Sequence, residues 1–219
     1  MELVVVMAVT LLLAGLMLPA LTQVRENAHR VICSSNLRQI GMAAVLYADD
    51  TGSLPKSFYG QTGQSKGEMM ALHRGKTAND WEGLGWLWSW RYLDSPHVFY
   101  CPSHHGEHHI DAYEDRFIWP DANRIYGNYH YAGDWDWEKN GPRRLSSTTS
   151  FVLATDGMRT IKDLNHLDGM NVLRSDNSVD WRDDIVQQVS AMLPGSESET
   201  SDDDEDRYAA IWKIINAEF

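Results

Sequence analysis

The sequence predicts an α+β fold: one long N-terminal helix, a small antiparallel sheet packed on its second half, and loop-rich insertions. Three observations carry this expectation: an uncharged run from Leu3 to Val24, an apolar stripe continuing it from Cys33 to Tyr47, and short alternating segments in the second half of the chain. A helix that must bury one stripe and strands that must bury one face satisfy each other by stacking in layers.

From Leu3 to Leu21 only Thr10 is polar, and this span as a helix rises about 28 Å, close to a hydrocarbon thickness of roughly 30 Å. Glu2 stands immediately before it. A carboxylate at a bilayer centre costs about 2.5–3.5 kcal/mol on insertion scales, so an acid at the mouth of such a helix calls for a partner. A cleaved secretory signal would place basic residues ahead of the run and small residues at a cleavage site. Here the preceding residue is acidic, and Leu18-Pro19-Ala20-Leu21 is a poor cleavage site. An ordinary transmembrane anchor accounts for everything except Glu2. Pro19 has no N–H for the carbonyl of Gly15, and Gly is a weak helix former, so a kink or local unwinding is expected between them.

Beyond that point Cys33, Leu37, Ile40, Ala44 and Tyr47 recur at steps of four, three, four and three, the stripe of an amphipathic helix. Arg25, Glu26, Arg30 and Arg38 are read as lying off it. The helix should run to about Asp49, where Asp-Asp-Thr-Gly-Ser-Leu-Pro supplies a stop. The expected organisation is an apolar half-helix (1–24), an amphipathic half (25–50), a head (51–194), an acidic mobile loop (195–207) and a short C-terminal helix (208–219).

Within the head, Trp81 to Leu93 should hold a short helix from Leu84 with Trp86, Trp90 and Leu93 on one face. Ile125 to Tyr131 reads as a strand, and Phe151 to Thr155 as another, ended by Asp156-Gly157. Met170 to Leu173 and Ser178 to Trp181 form a hairpin whose turn, Asp176-Asn177, favours positive φ. Tyr208, Ile211, Trp212 and Ile215 repeat at helical spacing, so the last helix should dock back on the head.

The net charge of −12 over 219 residues argues against a nucleic-acid partner, which needs a basic footprint. Much of it is local, since 195–207 holds seven acids against Arg207. The two cysteines, Cys33 and Cys101, suggest one disulfide in an oxidising compartment, worth about 4 kcal/mol on the chain-entropy model. Two unpaired buried thiols are the alternative. Nine Trp and nine Tyr point to an aromatic core or an aromatic surface.

The segment from Glu2 through Pro19 resembles the N-terminal helix of type IV pilins and type II secretion pseudopilins, where a Glu near the mature terminus is followed seventeen residues later by a Pro. The continuation Cys33-Ser-Ser-Asn-Leu-Arg-Gln-Ile-Gly41, then Tyr47 to Pro55, is similar to the large pseudopilin-like branch of planctomycete and verrucomicrobial bacteria. That branch is also marked by a C-terminal His, nine residues, then Asp-Gly; here His166 is followed by Asp176 and Asn177, with Asn in place of Gly. Precursors in the family carry a basic leader ending in Gly, so cleavage and N-methylation are not readable from residues that begin at Met1. By charge alone Arg25, Arg30 and Arg38 favour a cytoplasmic C-terminal side. The resemblance and the cysteines place that side outside.

Chemistry-bearing candidates are few. Cys101-Pro-Ser-His104-His105-Gly-Glu107-His108-His109 could bind zinc or copper, although adjacent imidazoles point apart. Asp202, Asp204 and Asp206 offer oxygen ligands for calcium, which pseudopilins often hold in a C-terminal loop, but without an EF-hand order. A carboxylate group of Asp156, Asp168, Asp176 and Asp180 is a weaker calcium candidate. His166 is read as a structural histidine before a base, and Trp135 and Trp137 as core before a sugar platform. No nucleophile motif or phosphate loop stands out.

The resemblance implies a structural subunit of an extracellular filament, not an enzyme, polymerising through Glu2, Leu3, Gly15 and Pro19. Glu2 would neutralise the N-terminal ammonium of a neighbouring copy. Implied partners are further copies of the chain, the inner membrane before assembly and the pilus or secretion machinery. The alternatives are a minor pseudopilin and a membrane-tethered metal- or glycan-binding module.

Overall fold

The computed structural model describes residues 2–62, 66–118, 123–136, 141–145, 150–183, 185–196 and 205–217. Its first element, α1 (Glu2–Thr51), is one continuous helix. The local unwinding expected between Gly15 and Pro19 does not occur, because one missing hydrogen bond is bridged by helix propagating on both sides. Thr10 turns its hydroxyl back on the carbonyls of Val6 and Met7, at 3.0 and 2.9 Å, so the apolar run leaves that polar atom satisfied.

The two halves of α1 have opposite surroundings. Leu3 is 73 % and Leu11 71 % exposed, whereas Cys33, Leu37, Ile40 and Ala44 are fully buried. A four-stranded antiparallel sheet of order β3-β6-β7-β8 is made of Tyr129–Tyr131, Val152–Asp156, Met170–Arg174 and Val179–Arg182, while Trp135–Asp136 (β4) and Gly141–Pro142 (β5) pair with each other. The stripe packs against β6, β7 and β8 of the larger sheet. Gly41 sits where helix and sheet come closest: a side chain there would run into the amide of Asn177 and into Leu173.

Strand periodicity divides the interior in two. Leu153 and Leu173 face the α1 side, with Tyr129, Tyr131 and Phe99. Val152, Met170 and Val172 face the other side, covered by α5 (Ile185–Ser190) and α6 (Glu205–Ala217) through Val186, Val189, Tyr208, Ile211, Trp212 and Ile215. The C-terminal helix therefore docks as its spacing predicts. It starts earlier than residue 208, taking in the end of the acidic stretch; residues 197–204 lie outside the described residues.

Two expectations are corrected. The segment 125–131 is split: Ile125–Tyr126 (β2) pairs with Ala71–His73 (β1), while β3 pairs with β6. At the break Gly127 bonds the carbonyl of Met70 and Asn128 that of Phe99, so the chain changes sheets without losing a backbone partner. In α3 (Gly85–Ser89), which lies in sequence between the short helices α2 (Phe58–Thr62) and α4 (Glu114–Ile118), the buried anchor is Leu87, flanked by Leu84 and Leu93, while Trp90 is 54 % exposed.

The hairpin between β7 and β8 closes with a three-residue loop. Asn177 donates to the carbonyl of Arg174 and holds φ at 68°, and Arg174 in turn donates to Ser178. Asp176 accepts from the backbone and hydroxyl of Ser178, at 2.9 and 2.7 Å. This is a turn with one left-handed residue, which explains why Asn can stand where Gly would serve.

Candidate functional site

Charged and sulfur-bearing groups gather where α1 enters the head. The segment Pro96–Phe99 lies against α1 and delivers Cys101 to Cys33, and the two form a disulfide with Cα atoms 5.4 Å apart, 68 residues distant in sequence. The spacing is ordinary for a disulfide, so no backbone movement is needed. Asn36, one turn along, donates to the carbonyl of Tyr100 at 3.1 Å and fixes the approach.

His166 lies beside the disulfide, fully buried, in the loop before β7. Its Nδ1 donates to Oε1 of Glu26 at 2.5 Å. With the ring neutral and its proton on Nδ1, Nε2 is the lone-pair nitrogen, 3.6 Å from Sγ of Cys101 and 3.8 Å from Oδ2 of Asp156. Asp156, at the end of β6, accepts from the backbone and side chain of Asn171, at 2.5 and 3.0 Å, and from Asn165 at 3.1 Å. Burial pushes its carboxyl up, against the pull of His166 and these donors.

Three residues on consecutive turns of α1 close the site. Glu26 also accepts from Ser103 at 2.7 Å, and His29 meets the same hydroxyl at 3.0 Å. Arg30 pairs with Asp168 and lies over the Trp181 ring at 4.2 Å, while that ring meets His166 edge-on at 5.3 Å. Burial pushes the Glu26 carboxyl up, but bonds from His166 and Ser103, with the charges of His166 and Arg30, outweigh it and hold it below its usual range.

Glu26 and Arg30 therefore do not lie off the stripe. They precede Cys33 at steps of four and three, so the stripe that meets the head runs 26, 30, 33, 37, 40, 44, 47, half-buried at its first two positions and buried beyond them. The signal was present in the spacing and hidden by the charge of the two side chains. The signature residues divide their work: His166 holds the helix, while Asp176 and Asn177 build the turn that meets Gly41.

The remaining candidates are dispersed. The histidine loop is not a uniformly polar surface. His104 is buried and bonded to Asn165 at 3.0 Å, and burial lowers its pKa to about 4. His108 is buried, stacked on Tyr126, and bonded to Tyr113 at 2.7 Å. His105 and His109 are exposed. Neighbouring Glu68, which no motif marked, accepts from Arg159 and Arg124, each at 2.7 Å, and so knits this side of the head together. Asp168 serves Arg30, Asp176 its own turn, and Asp180 is exposed, so those carboxylates do not converge with Asp156. Asp206 is exposed on α6; Asp202 and Asp204 lie outside the described residues, as does Trp137, while Trp135 is half-buried. Glu2, Leu3 and Gly15 lie on the exposed half of α1, and a Cβ at Gly15 would meet nothing within 4 Å.

A family model described as "Protein of unknown function (DUF1559)" matches residues 22–98. The match covers Cys33 to Gly41 and the helix stop near Pro55, segments that carry the pilin-like resemblance beyond the apolar run. It also spans Glu26, Arg30 and the segment that leads toward Cys101. No curated protein and no solved structure matches the chain. The exposed half of α1 is long and apolar enough to cross a membrane, a property that membrane anchors and signal sequences share.

Proposed function

We propose that the chain is a structural subunit of a pilin-like filament and not an enzyme, held in the inner membrane before assembly and displayed outside the cell afterwards. One observation carries this reading: a helix whose second half is locked to the head by a stripe, a disulfide and a polar clasp, while the described side chains of its apolar first half are exposed. A simple tether does not need to be a rigid extension of the domain it anchors. A subunit whose helices pack side by side does, because the arm then fixes where every head sits.

In that assembly Glu2 sits among apolar arms, where an unpaired carboxylate is costly, and pairing with the N-terminal ammonium of a neighbouring copy sets the axial register. Replacing Glu2 by Ala or Leu should abolish filaments seen by electron microscopy of material sheared from cells. The purified subunit should keep its near-ultraviolet circular dichroism. Normal fibres from either variant would overturn the reading. Stubs in place of long fibres from the unaltered chain would favour a minor pseudopilin.

A further inference from the structure

Among the described residues one group of ligand-bearing side chains converges within 4.8 Å: Cys33, Cys101, Asp156 and His166, all buried. They come from four separate places, α1, the loop after Phe99, the end of β6 and the loop before β7. The geometry points to a second, reduced form of this site in which the two cysteines, His166 and Asp156 bind one zinc-class divalent ion tetrahedrally, so that the helix stays tied to the head without the disulfide.

The distances fit such an ion. Zinc bonds of about 2.3 Å to sulfur and 2.0–2.2 Å to nitrogen or oxygen place neighbouring ligand atoms about 3.3–3.8 Å apart in a tetrahedron. Nε2 of His166 already stands 3.6 Å from one sulfur and 3.8 Å from the Asp156 carboxylate. The ring is also held in the binding tautomer, since Glu26 accepts the Nδ1 proton and leaves Nε2 aimed at the sulfur; carboxylate-to-histidine contacts of this kind orient metal ligands. Asp156 Oδ2 accepts two bonds from Asn171, and the side-chain one gives way to the ion.

Sulfur is available only after reduction. A dithiol reductant supplies two electrons and two protons, the Cys33–Cys101 bond breaks to two thiols, and the reductant becomes a disulfide. Metal binding then releases both thiol protons to solvent as two metal–sulfur bonds form. Because the site is buried and its ligands are far apart in sequence, the ion enters as the reduced chain folds, and its binding energy is folding energy.

The test uses the full chain in detergent, refolded after reduction with a phosphine, which takes its oxygen from water and binds zinc more weakly than a dithiol, and which is removed before metal is added. Reduced protein refolded with equimolar zinc should retain one zinc per chain through desalting; oxidised protein should retain none. Cobalt(II) in place of zinc should give the ligand-field bands of a tetrahedral site with thiolate charge transfer. Those bands should vanish in the Cys33→Ser, Cys101→Ser double variant and shift in His166→Ala. Glu26→Ala, whose fold is checked in the oxidised state, should weaken retention roughly 10–100-fold through loss of ring orientation. Reduced protein that folds but retains no metal would overturn the inference. So would cobalt bands indifferent to His166, or a reduced chain that stays unfolded with and without metal.

Discussion

The first and second halves of α1 share a backbone and almost nothing else. Between residues 2 and 25 every described side chain is exposed, and the polar atom of Thr10 is satisfied inside the helix. From residue 26 to residue 47 each stripe position meets the head: two charged residues at the entry, a cysteine, then aliphatic and aromatic side chains. The order is physical. Where the helix leaves the head the surroundings are half wet, and ionic and hydrogen-bonded contacts serve; deeper in, apolar burial takes over. The arm is defined by the exposure of its described side chains.

The contrast can be broken most severely at its centre. Leu37→Ala removes a fully buried side chain between α1 and the sheet and should cost about 2–5 kcal/mol in urea unfolding of the oxidised protein in detergent. Leu12→Ala, the matched change on the arm, should leave head stability within about 0.5 kcal/mol. Equal effects would mean that the arm packs on the head after all. Gly41→Leu drives a side chain into the turn at Asn177 and should cost about 1–3 kcal/mol, with loss of near-ultraviolet signal from the aromatic core.

A smaller and pH-dependent effect is expected at the clasp. The carboxyl of Glu26 is held below its ordinary value of 4.5, so its stabilisation is complete above that pH and is lost as pH falls through the lowered folded value. Glu26→Gln should therefore cost about 1 kcal/mol at neutral pH, discounted for its partial exposure. That cost should shrink towards zero in strongly acidic buffer. A difference between the two proteins that grows on acidification would assign the clasp to other groups.

The sequence made the apolar parts of this design readable and left the polar parts obscure. The stripe from Cys33 to Tyr47, the β7–β8 hairpin, the docking of Tyr208 and Ile211 and the pairing of the cysteines all follow from periodicity, turn chemistry or count. Glu26 and Arg30 escaped because charge normally marks a solvated face, and only their distant partners on the sheet side reveal otherwise. Resemblance marks His166, yet its contact to Glu26 spans 140 residues, a distance no local pattern encodes. The break at Gly127 and Asn128 was equally silent, since alternation persists while the chain changes sheets.

The placement of the disulfide also decides how the molecule carries load. A pull along the exposed arm reaches Glu26 and Arg30 first and Cys33 next, and the covalent bridge passes it directly to Cys101. The intervening chain, a 68-residue separation that includes the end of α1 and the aromatic segments around Trp81 and Leu87, is thereby bypassed. Single-molecule extension from the arm to the C-terminus should show no length released by that segment until the bridge is reduced.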